Sequence, residues 1–380
     1  MKTTVFLSIL FILSSTGFAA TLYVPDDFPT IQEAISAGEF AGDTIIVRPG
    51  TYVENIDFVG KAIHLKSEKG PVVTVIDGNQ DGSVVKFENS EGFSSKIEGF
   101  TIRNGSGSGN HPSQFNHGGG IFCFESSPTI VKNMIIDNTL NSWGANGGGI
   151  CCESASPRIE NNCILQNEAE NSGGGIMCGH SSPAIVNNLI GSNSTQRGGG
   201  GGIYFNNSSP EIRNNTIVGN SSNEGGCVEA YFNSSPTIIN TILRYNDAPI
   251  GPEICIKDSS QTAELTISYS DVAGGQNSVF IYSGCILNWG AGMIDADPHF
   301  ETGPEGDYYL SQVAAGQTVD SPCVDSHLKR DRRPAPIPSF LLQSILSHAL
   351  TISRQCTIVP KGENCGEAPR CRKSAGRLQT

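Results

Sequence analysis

GGGIFCFESSPTIVKNMIIDN, residues 118–138, is followed by GGGICCESASPRIENNCILQN at 147–167, GGGIMCGHSSPAIVNNLIGSN at 173–193 and GGGIYFNNSSPEIRNNTIVGN at 200–220. A looser version, GGCVEAYFNSSPTIINTILRYN, occupies 225–246. The prolines of the five units are Pro128, Pro157, Pro183, Pro210 and Pro236, so the period is 26 to 29 residues. Leucine-rich repeats, helical repeats and solenoids of strands all have periods near this one, and the local pattern separates them. Glycine triplets and a proline in every unit exclude helices. Each unit instead holds three short apolar stretches divided by turn residues, for instance Ile121 with Cys123, then Ile130, then Ile135. Three short strands per unit make one coil of a three-sided parallel β-helix.

In such a coil each strand bonds to its equivalents above and below at about 4.8 Å, so one sequence position becomes a column. Ile121, Ile150, Ile176, Ile203 and Val228 form one expected interior row. Ile130, Ile159, Ile185, Ile212 and Ile238 form a second, and Ile135, Ile164, Ile190, Ile217 and Ile242 a third. Between the second and third rows stand Asn133, Asn162, Asn188, Asn215 and Asn240. There the chain must turn within about two residues; Asn tolerates the left-handed conformation, and stacked amides can bond from coil to coil. The sequon Asn214-Asn215-Thr216 offers glycosylation as the competing reading.

These units resemble the right-handed parallel β-helix of the pectin-lyase-like superfamily. Within it they are similar to secreted bacterial repeat proteins often labelled pectate lyases. VPDDFPTIQEAISAGEFAGDTIIVRPGTYVENIDFVGKAIHLKSEKGPVVTVIDG from Val24, SYSDV from Ser268, NWGAGMIDADPHF from Asn288 and SPCVD from Ser321 extend the likeness over about residues 22–325. The expected class is therefore all-β, a right-handed three-sided parallel β-helix with an N-terminal capping helix. Pro29-Thr30 opens that helix, with Ile31, Ala34 and Ile35 on one face and Gly38 at its end. Its role is to cover the open first coil.

Lys2, the apolar run Val5–Leu13 and the small residues Gly17 and Ala19 read as a secretory signal peptide at 1–20, cleaved after 19 or 20. The domain reading continues with the cap at 21–42, the β-helix at 43–300 and a closing segment at 301–326. No later stretch approaches the roughly 20 apolar residues of a membrane span, so the expected location is extracellular or at the cell surface. Residues 1–326 carry 14 basic and 34 acidic side chains, whereas 327–380 carry 10 and 3. The resemblance would have the chain close with an Asp/Gly-rich segment after Asp325. Residues 327–380 instead read as a basic, atypical tail, disordered or the product of a frame error, with a basic appendage docking on the acidic solenoid as the alternative.

The excess of acid argues against nucleic acid, whose backbone demands cations. Cys123, Cys152 and Cys178 share one interior column with parallel side chains, which disfavours disulfide geometry and suits buried thiols. No CxxC pair suggests zinc. The glycine triplets lack the Lys-Ser/Thr of a phosphate loop.

Function must lie on outward positions. The resemblance implies that sugar chains lie along the first strand column. Its outward residues, one and three places after the core aliphatic, are Phe122 and Phe124, Cys151 and Glu153, Met177 and Gly179, Tyr204 and Asn206, Glu229 and Tyr231. Aromatic faces stack on pyranose rings and Asn or Glu take hydroxyls, so Phe122, Phe124, Glu153, Tyr204, Asn206, Glu229 and Tyr231 form an expected glycan-binding strip. Packing beneath the loop 105–117 is the competing role for the aromatics. The strip contains no expected Arg or Lys, which a lyase would need if calcium did not hold the substrate carboxylate. Glu153, His180 and Arg197 are the catalytic candidates, and Asp295 and Asp297 the candidate metal ligands, against a turn-forming role. Three functions remain: a secreted polysaccharide or surface-glycan binder with no cofactor, a calcium-dependent pectate-type lyase, and a structural or adhesive solenoid. Oligomeric state is left open.

Overall fold

A computed structural model describes residues 19–39, 41–108, 117–258, 263–303, 306–313 and 317–323. The expected signal peptide, apart from its last two residues, and the basic tail lie outside them. Within the described residues the chain is a parallel β-helix with three long sheets. The first sheet runs through nine strands from Ile56–Asp57 to Val279–Ile281 and includes Ile121–Phe124, Ile150–Glu153, Ile176–Gly179, Ile203–Asn206, Val228–Tyr231 and Ile254–Lys257. The second has eleven strands, from Thr21–Val24 to Ile286–Trp289, and the third nine, from Gly50–Val53 to Asp271–Val272. A hairpin of Phe300–Gly303 and Gly306–Leu310 follows the last coil.

The rows of isoleucine meet as the repeat requires. Ile121 pairs with Ile150, Ile150 with Ile176, Ile176 with Ile203 and Ile203 with Val228. Ile130, Ile159, Ile185, Ile212 and Ile238 are in register likewise. All ten of these side chains are fully buried, and each fully buried aliphatic contributes about 1.5–3 kcal/mol by leaving water. The thiols of Cys123, Cys152 and Cys178 stack in register inside the same core and are free. Burial pushes those of Cys123 and Cys178 well above the usual thiol value.

The fifth unit corrects the expected columns. Ile217 pairs with Leu243, not Ile242, and the N–H of Asn215 donates to Thr241 Oγ1, not to Asn240. This unit has one residue more than the others, and the extra residue shifts every later position by one. The two roles assigned to one Asn also belong to neighbours. Left-handed backbone occurs at Lys132, Asn161, Asn187, Asn214 and Asn240, with φ between 50° and 59°. The buried ladder is the next residue: Asn133 N–H donates to Asn162 Oδ1 at 2.9 Å, Asn162 to Asn188 at 2.9 Å and Asn188 to Asn215 at 2.8 Å. Each amide Nδ2 donates back to a strand carbonyl, as Asn188 does to Ile159 at 2.9 Å.

A second ladder ends each unit. Asn138, Asn167, Asn193, Asn220 and Asn246 are linked by N–H to Oδ1 bonds of 2.9–3.2 Å, and Asn246 Nδ2 donates to Glu253 Oε2 at 2.7 Å. Ser181, Ser208 and Ser234 take the N–H of Ala155, Ser181 and Ser208 in the same manner. Every corner of the coil thus satisfies its backbone through a side chain one coil later, which a buried turn requires.

The helix Ile31–Ala37 begins at Thr30, whose hydroxyl accepts the Glu33 N–H. Ile31, Ala34 and Ile35 are its buried residues, and it packs against the strands Thr21–Val24, Thr44–Val47 and Ile56–Asp57. No helix among the described residues is long and apolar enough to cross a membrane.

Candidate functional site

Both outward columns of the first sheet are in register. Lys86, Phe122, Cys151, Met177, Tyr204, Glu229, Cys255 and Phe280 form the inner one; Phe124, Glu153, Gly179, Asn206, Tyr231 and Lys257 form the outer one. Lys86 and Lys257 correct the expectation of a strip without cations, because the column runs beyond the five obvious repeats. Their units lack the glycine triplet and the Ser-Ser-Pro phrase, which is why the repeat alone did not reveal them.

The inner column is largely covered. Phe122 is 3% exposed, Cys151 1% and Met177 8%, and the three pack as one cluster with Phe124 and Tyr204. The first glycine of each triplet causes this. Gly173, at φ 68°, passes so close to the strand it precedes that an added Cβ would lie 2.8 Å from that of Met177. Its left-handed turn is open to glycine at no cost and to few other residues. At the Phe122 end the His117 ring stacks at 6.4 Å. The tip of the loop expected to lie over Phe122, residues 109–116, falls outside the described residues.

In the outer column Phe124, Glu153, Asn206, Tyr231 and Lys257 are half-buried, as is Tyr204, whereas Gly179 is buried. The rings of Tyr204 and Tyr231 stack at 6.1 Å across adjacent coils, and Phe232 stands beside Tyr231 at 6.2 Å. Next to them Lys257 Nζ is 2.5 Å from Glu224 Oε2 and 5.3 Å from the centre of the Tyr282 ring. The Tyr282 hydroxyl reaches Glu224 Oε1 at 3.5 Å. Glu224, Lys257 and Tyr282 were not singled out in the sequence, since Glu224 precedes the fifth glycine pair and the other two follow the last recognisable unit.

Glu229 is 4% exposed. Its carboxyl lies where a side chain on Gly199 would be, 1.4 Å from an added Cβ. Burial, and secondarily the charge of Glu224, push its pKa up to about 8, with Lys257 opposing. Burial likewise raises the Tyr204 hydroxyl. The site therefore presents a carboxyl biased towards its uncharged form, the Lys257–Glu224 ion pair and two stacked tyrosine rings.

Two of the three catalytic candidates meet. His180 Nδ1 is 3.2 Å from Glu153 Oε1, and the Glu153 carboxyl occupies the space that Gly179 leaves open, 2.1 Å from an added Cβ. Arg197 is elsewhere, with Nε 2.7 Å from Glu170 Oε1. Asp295 Oδ1 accepts from Arg244 Nη1 at 3.2 Å, beside Asp271. Asp297 Oδ1 accepts the His299 N–H at 2.9 Å, the turn-forming arrangement.

The model of the right-handed β-helix region matches residues 55–241 and 134–290, and the chain belongs to that family. No curated protein matches it. Among solved structures it is similar to a pectin methylesterase from carrot, at 14% identity and a TM-score of 0.42 over 73% of this chain and 90% of that one. It is similar also to the A-module of a mannuronan C-5 epimerase from Azotobacter vinelandii, at 14% identity and a TM-score of 0.30 over 71% and 95%.

Proposed function

We propose that this chain is an exported polysaccharide-binding protein whose contact surface is the outward face of the first sheet, centred on Tyr204 and Tyr231. The stacked, half-exposed pair of tyrosine rings on adjacent coils carries the reading. Rings held by rigid strands offer large apolar faces at little entropic cost, and pyranose faces are apolar too. Asn206 stands one coil from Tyr231 and supplies hydrogen bonds to hydroxyls, while the buried Glu229 lies beneath the Tyr204 end and supports it. The columnar register supports a chain ligand: contacts recur at about 4.8 Å along the solenoid, a spacing suited to a polymer rather than a single small molecule. The apolar N-terminal run of the sequence supports export.

Retention on immobilised soluble polysaccharides, with and without calcium and with product analysis, tests the reading. Binding that weakens at least tenfold in Tyr204→Ala and Tyr231→Ala is the expected result. Unaltered retention in both variants removes this face from consideration.

A further inference from the structure

The cations of this face are already matched. Lys257 is held by Glu224, and Lys86 Nζ lies 2.8 Å from Glu88 Oε1 and 3.6 Å from Asp57 Oδ2. His180 faces Glu153. Along the two outward columns, among the described residues, Lys86 and Lys257 are the lysine and arginine side chains. Glu229 remains as an additional carboxyl with no cation bonded to it, against a Lys257 already shared with Glu224.

We infer, on the reading that this face binds glycan, that its ligand is an uncharged polysaccharide and not a polyuronate. A uronate carboxylate entering beside Tyr231 would meet Lys257 only by displacing Glu224. That would leave Glu224 unpaired beside the entering carboxylate, and two like charges competing for one cation in a half-buried site repel strongly. An uncharged pyranose asks for nothing of the kind: its face lies on the tyrosines, and its hydroxyls find acceptors in Asn206 and Glu224. A polyamine glycan would have to ionise Glu229, which burial opposes.

The test is affinity electrophoresis of the full chain at pH 7 in gels containing hydroxyethylcellulose, glucomannan, polygalacturonate, alginate or chitosan. The expected result is retardation by at least one uncharged polymer, about tenfold stronger than by either polyuronate. Raising salt from about 0.02 to 0.5 M should change that retardation less than twofold, because no charge pair is formed with the ligand. Glu224→Gln, checked by its melting curve, releases Lys257 and should raise retardation by polygalacturonate at least threefold. Stronger retardation by a polyuronate or by chitosan overturns the inference while leaving glycan binding intact. No retardation by any polymer overturns both.

Discussion

Glu229 folds its carboxyl over Gly199, in space that exists only because position 199 has no side chain. Glu153 does the same over Gly179. The two carboxyls of the strip are thus seated by glycines from other coils, and their positions depend on residues that offer them space and no side chain.

Gly199→Ala should expel the Glu229 carboxyl from its seat. We expect a loss of about 1–3 kcal/mol in urea unfolding, the usual cost of overpacking, together with reduced glycan retention. Gly179→Ala should leave retention at the tyrosine end unaltered, because it displaces Glu153 instead. Equal effects of the two on retention would sink the assignment of the contact surface to the Tyr204 end.

The stability of the protein should fall with pH through the action of Glu229. Its folded pKa, about 8, lies above its unfolded value near 4.5, so the native state binds more protons between those values. The stabilising difference is whole below about pH 4.5 and is lost as pH rises through 8. Glu229→Gln should therefore match the parent near pH 5 and exceed it near pH 9, by an amount on the order of 3 kcal/mol. Glu253, raised to about 7 by burial, adds a slope of the same sign that this variant retains. Thermal melts of both proteins at several pH values decide the matter; parallel curves would contradict the burial assigned to Glu229.

Asn188→Ala would strand the N–H of Asn162 and the carbonyl of Ile159, both in the buried corner. Each orphaned group costs about 1–3 kcal/mol, so chemical denaturation should show a loss of roughly 3 kcal/mol or more. Asn188→Thr should recover part of it, because Thr241 takes the Asn215 N–H at the matching rung. A mutant as stable as the parent would remove the ladder from the energetics of the fold.

Phe122→Leu should lower stability by about 1–2 kcal/mol while sparing glycan retention. Its ring is covered, so it supports the strip without touching a ligand. Loss of retention with an unchanged melting temperature would place Phe122 in the contact surface after all.

Rows such as Ile121 to Val228 were legible in the sequence because a column repeats one physical demand in every coil. Partners that differ between coils were not. Nothing in the local text near Glu224 announces Lys257, since their meeting depends on the stacking of two units with different turns. The single added residue was legible only as a longer unit; it falls between Tyr231 and Ser234, where Phe232 and Asn233 both take left-handed backbone against Asn207 alone in the unit before, so that Asn240 stands level with Asn214 and Thr241 with Asn215. The strip residues were found because outward alternation follows from the pleat. Their exposure was not, because the glycine backbone that covers Phe122 and Met177 leaves no side-chain signature.

The rungs Asn138, Asn167, Asn193 and Asn220 are chemically interchangeable, since each gives and takes the same bonds. Excising residues 147–172 would set Asn138 beneath Asn193 and Ile135 beneath Ile190, with the donors of the asparagine ladder still answered. The molecule is therefore a ruler that can be lengthened or cut by whole divisions, and evolution can adjust how many coils it holds without redesigning its interior.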